Sequence, residues 1–81
     1  MTWNHRVIVM CNDQNEVWYQ IHECFYNKKK DKIPVGWTKN PSSVVGETVK
    51  DLKWTLKAMK RATKKPVLIE GKDGKLEEFK E

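Results

Sequence analysis

The hydrophobic period of this chain changes at Thr48. Before it, the run Val17–Tyr26 (VWYQIHECFY) places its side chains alternately on two faces, as a strand does. After it, Val49, Leu52, Leu56 and Met59 recur at three and four, as one face of a helix requires. Thr48 followed by Asp51 forms a capping box with Asp in place of the usual Glu. Pro66 stops the pattern, because proline cannot continue a helix. A helix over 48–65 is therefore predicted. Its apolar stripe must be buried against another element, and what precedes it is strand.

Arg6–Cys11 (RVIVMC) is short, apolar and β-branched, which reads as a first strand. Asn12–Glu16 (NDQNE) has turn chemistry, so a hairpin with Val17–Tyr26 is expected. In that second strand Val17, Tyr19, Ile21 and Phe25 share one face, interrupted by Glu23; Trp18, Gln20, His22, Cys24 and Tyr26 share the other. Asn27–Lys32 is a polar loop. Ile33–Thr38 is a third strand, which Pro34 confines to an edge or an irregular start. Pro41 and Gly46 break the connection to the helix. Pro66–Glu70 is a final short strand. An Asp73–Gly74 turn follows, and then either a short strand or a frayed tail, since Leu76 and Phe79 have helical spacing. The expected fold is α+β, a two-layer sandwich of a three-stranded antiparallel sheet, one helix and a final strand (β-β-β-α-β). Residues 1–70 form its single domain and 71–81 a turn and tail. A chain of 81 residues supports one modest core and no deep cleft.

Several function classes are excluded by what the residues lack. Two cysteines are too few for a disulfide scaffold. The hairpin puts Cys11 near the turn and Cys24 far from it, so no bridge is expected. Reduced thiols fit a cytoplasmic protein. No apolar run reaches the roughly 18 residues of a membrane span, and the N-terminus lacks the pattern of a leader. His5, His22, Cys11 and Cys24 lack the paired spacing of a zinc site, so neither metal nor cofactor is expected. Glu23 and His22 are adjacent in a strand and point to opposite faces. Glu23 could meet Glu47 across the sheet edge, although pairing with a lysine is the better reading. Gly71–Lys75 (GKDGK) is a turn, and no phosphate loop or nucleophile–base pattern appears. The expectation is a protein that is not an enzyme.

Charge carries the positive signal. Residues 49–65 hold seven basic groups and one acid, a net of +6, while the whole chain is +5. All of the positive excess thus belongs to one helix. At 100° per residue, Val49, Leu52, Thr55, Leu56, Met59, Ala62 and Thr63 fall within an apolar arc of about 140°. Lys50, Lys53, Lys57, Lys60, Arg61, Lys64 and Lys65 fall within a separate arc of about 140°, with Trp54 among them. An ordinary solvated face mixes signs, since like charges four apart repel. Cations near the C-terminal end suit the helix dipole, but that leaves Lys50 and Lys53 unexplained. The candidate binding residues are accordingly Lys50, Lys53, Trp54, Lys57, Lys60, Arg61 and Lys64, facing nucleic acid or an acidic protein surface. The plainer reading of Trp54 is a ring lying over lysine stems or against the loop after the third strand.

Ile21-His22-Glu23, Gly46-Glu47-Thr48 opening the helix and Lys65-Pro66-Val67-Leu68 closing it resemble short uncharacterised proteins of cyanobacteria and their phages. More loosely, residues 17–69 resemble the HicB-like antitoxin domain, a degenerate ribonuclease-H-like β-β-β-α-β unit. The resemblance implies binding and regulation rather than catalysis, and no site residues are carried over from it. The helix here is basic where toxin-binding domains of that kind are often acidic. The alternative function it suggests is an antitoxin-like or phage-encoded regulator that inhibits a protein partner through its sheet edge or exposed aromatics. An exposed edge strand also invites a homodimer.

Overall fold

The computed structural model of the protein describes residues 2–80. Five strands and one helix follow in the order β1 (Thr2–Cys11), β2 (Val17–Tyr26), β3 (Gly36–Trp37), α1 (Val49–Ala62), β4 (Leu68–Glu70) and β5 (Leu76–Glu78). The strands form one mixed sheet in the order β3-β2-β1-β4-β5. β1 pairs antiparallel with β2 from Thr2↔Tyr26 to Cys11↔Val17, and parallel with β4 through Ile8↔Leu68. No helix among the described residues is long and apolar enough to cross a membrane.

The hairpin turns where the residues dictate. The side-chain oxygen of Asn12 accepts from the backbone N–H groups of Gln14 and Glu16 at 3.0 Å each. Asn15 takes a φ of 64°, a left-handed conformation that asparagine tolerates better than most residues. The third strand is shorter than expected, with only Gly36 and Trp37 in the ladder. Its flanks still bond to β2: Val35 N–H to Phe25 O, Thr38 N–H to Glu23 O and Ser42 N–H to Ile21 O. Pro34 and Pro41 have no N–H to donate, so the ladder between them is intermittent.

One open alternative is decided and one expectation needs correction. Beyond Asp73–Gly74 the chain is a short strand, not a frayed tail. Gly74 at φ 78° turns the chain, β5 pairs with β4, and Leu76 is buried in the core. The period-two phase sends Leu76 inward, and the helical spacing to Phe79 is incidental. Nor does the fold reduce to a helix laid over three antiparallel strands. The main apolar cluster is Ile8, Cys24, Tyr26, Leu68 and Leu76, with Trp37 packed against it. Trp37 lies on one edge strand and Leu76 on the other, yet both reach the same cluster. The sheet therefore curls over this face, and strand twist supplies the curvature.

The opposite face of β1 carries His5, Val7 and Val9, all buried, and α1 packs against this strand. The helix begins at Thr48, whose Oγ1 accepts from Asp51 N–H at 3.1 Å. It ends at the Thr63 cap rather than Lys65, ahead of Pro66. Its inward arc is also displaced from the expected one. Leu52, Thr55, Ala58, Met59 and Ala62 turn inward, whereas Val49 and Leu56 are 68% and 53% exposed. The rotation is roughly 50° at 100° per residue. It brings Ala58 and Ala62, the smallest side chains of the helix, toward β1.

Candidate nucleic-acid interface

Even after that rotation the basic arc lies on the side of the helix away from the buried one. Lys50, Lys53, Lys57, Lys60, Arg61 and Lys64 are all exposed. Among the described residues none of them has a carboxylate in ion-pair contact. Asp51, the one acid of the helix, sits at its first turn, where the dipole favours negative charge. The cations are thus gathered on one side and left in water.

Trp54 is 58% exposed. It flanks the basic arc rather than lying beneath it, and it borders two depressions between α1 and the sheet. One is shared with Trp3, His5, Ser42 and Val45. The other is shared with Trp3, Ala58, Arg61 and Lys65. Trp3 is itself 49% exposed and stands edge-on to His5, ring centroids 5.5 Å apart. Two tryptophans therefore rim both depressions, and the outer wall of the second is cationic, with Arg61 and Lys65. Sequence reasoning found Trp54 and missed Trp3. Trp3 lies at the start of β1, ahead of the Arg6–Cys11 run that reads as strand.

The remaining polar candidates resolve into structure. His22 is buried, with Nδ1 2.8 Å from the Thr38 carbonyl and Nε2 3.0 Å from the Gln20 amide nitrogen. A carbonyl only accepts, so Nδ1 donates, and Nε2 accepts from Gln20. Gln20 Oε1 accepts in turn from Trp18 Nε1–H at 2.8 Å. The histidine is a satisfied core group. His5 lies on the other face of the sheet, under the helix. Cys11 is exposed and Cys24 buried, and both are free thiols. Burial pushes the Cys24 thiol up to about 11, with the Arg6 charge opposing this in part. Among the described residues no group of three or more His, Cys, Asp or Glu side chains could hold a metal ion. Glu23 borders the groove beside His5 and Ser42; Glu47 is not part of that wall.

Sequence reasoning also passed over Arg6. It shares a face with Ile8 and Met10 and is buried. A charge in phase with core residues is the signal that marks it. No family model, curated protein or solved structure matches the chain.

Proposed function

We propose that the protein is a small non-catalytic module that binds nucleic acid along α1. Phosphates would contact Lys50, Lys53, Lys57, Lys60, Arg61 and Lys64, and an unstacked base would lie on Trp54. The observation that carries this reading is a cationic arc that meets no carboxylate among the described residues, with an exposed indole at its margin. Backbone charge and aromatic stacking are the two means by which single strands are held without sequence preference.

Fluorescence titration of a labelled single-stranded oligonucleotide tests it. Binding should weaken steeply with salt, since phosphate contacts release counterions. The Lys53→Gln/Lys57→Gln/Lys60→Gln variant should reduce the slope of log affinity against log salt by about 2. Trp54→Ala should weaken binding by roughly 1–3 kcal/mol. Polyglutamate binding as tightly as the oligonucleotide would instead assign the face to an acidic protein.

A second reading has its own observation. Val17 and Tyr19 are exposed on one face of the β1–β2 hairpin end and Trp18 on the other, apolar surface of a kind that suits a protein partner. This supports the antitoxin-like regulator acting through exposed aromatics. The edge strands support it less, because β3 has two residues and β5 three, which offer little ladder to extend.

A further inference from the structure

At the end of the sheet where β1 begins and α1 hands over to β4, a pocket of about 520 Å³ opens. Arg6 lines it and is only 4% exposed. Burying a charge is expensive unless a charge of opposite sign accompanies it. Yet among the described residues every partner of this guanidinium is neutral. Nη1 donates to Tyr26 Oη at 2.9 Å and to Lys32 O at 3.0 Å, and Nη2 donates to Pro66 O at 2.9 Å. Of its five N–H donors, the Nε–H and one on Nη2 are left over, and Nε is sealed from solvent without a partner. The neighbouring Cys24 is no counter-ion, since its thiol stays protonated at neutral pH.

The rest of the wall adds positive charge. Arg6, Lys29, Lys32 and Lys65 stand against Asp31 and Glu78, a net of +2. Asp31 is partly engaged already, accepting from Lys28 N–H at 3.1 Å. Trp3 and Ile33 supply apolar wall. The volume lies within the range of about 300–1,000 Å³ usual for small-molecule sites, which is room for more than a bare ion.

We infer that this pocket binds a phosphate monoester, with the buried Arg6 guanidinium and the Lys29, Lys32 and Lys65 ammonium groups answering its charge. A monoester dianion offsets the net charge of the wall, and its oxygens are acceptors for the second Nη2 N–H and for the three ammonium groups; the Nε–H, sealed from solvent, is not among the donors offered. Tyr26, held between Arg6 and Asn4 Oδ1 at 2.8 Å, fixes the guanidinium from below. The site shares Trp3 and Lys65 with the groove beside α1 but none of the six stripe cations from Lys50 to Lys64, and it stands whether or not that stripe binds a strand.

The test is thermal unfolding of the full chain with inorganic phosphate, against chloride at equal ionic strength. Saturable stabilisation by phosphate is expected. Lys29→Gln/Lys32→Gln should weaken its apparent affinity roughly tenfold, and the charge-matched Lys39→Gln/Lys72→Gln should not. Arg6→Gln should abolish the phosphate effect; the rim variant decides the matter should that protein fail to fold. Absence of saturation, or an equal response from the rim and control variants, would overturn the site. Oligonucleotides with a 5′-phosphate or a 5′-hydroxyl then name its source. Preference for the phosphorylated strand assigns a strand terminus. Equal binding of the two, with displacement of phosphate by a mononucleotide, assigns a free phosphate ester.

Discussion

Cys24 shows how position outweighs residue type. Its thiol is buried against Ile8 and Leu68, while Cys11 meets solvent beside the hairpin turn. A thiol reagent should therefore modify one cysteine in the folded protein and two after denaturation, and peptide mapping should assign the first to Cys11. The raised Cys24 pKa also has a consequence for stability. The folded thiol resists ionisation until about 11, whereas the unfolded one ionises from 9.0. Stability from this group is complete below that lower value. It falls as pH rises toward the higher one, by roughly 1.4 kcal/mol per pH unit. Alkaline denaturation of Cys24→Ala should lack this component, which a comparison of the two pH profiles between 9 and 11 would reveal. Leu68 is fully buried in the same cluster. Leu68→Ala should lose about 2–5 kcal/mol in urea unfolding.

The start of α1 is set by close packing as well as by its cap. A Cβ on Gly46 would come within 2.8 Å of Asp51 Cβ and 2.9 Å of Leu52 N. The backbone before the helix thus passes so close to the first turn that glycine is the residue that fits. Gly46→Ala must shift the helix start, and it should destabilise more than Thr48→Ala. The latter removes one cap bond and should cost about 1 kcal/mol. Circular dichroism melts of the two variants would rank them. Neutralising the stripe should act in the opposite direction. Lys53→Gln/Lys57→Gln/Lys60→Gln relieves like-charge repulsion at three- and four-residue spacings, so its melting temperature should be unchanged or slightly higher. A variant that binds less while folding as well separates a binding role from a structural one.

Taken together, the fold divides its two faces between two tasks. The curled face of the sheet holds the apolar cluster. The other face receives the helix through small side chains, which leaves the lysines outermost and Trp3 and Trp54 at the rim of the groove. A net charge of +5 favours anionic partners in general. The arrangement of that charge narrows the expectation to one side of the molecule. Raising the salt should weaken oligonucleotide binding while leaving the fold intact, because the stripe is solvated and screened whereas the main cluster of Ile8, Cys24, Tyr26, Leu68 and Leu76 is apolar. Binding and intrinsic fluorescence followed across one salt series would show the two behaviours apart.

The helix, the hairpin and the cationic arc were legible in the residues, because each rests on local spacing. Thr48 and Pro66 bracket α1, Asn12 organises the turn, and lysines at three- and four-residue intervals share a side wherever a helix forms. The rotation that hides Ala58 and exposes Leu56 was not legible, since it depends on the surface β1 presents. Likewise Leu76 became a core residue only once β5 found β4, and Arg6 met its pocket only when the ends of the loop at Lys32 and of the crossover at Pro66 converged on it. Periodicity reports which residues share a face. Which face is buried, and what distant segments surround it, follows from contacts between elements far apart in the chain.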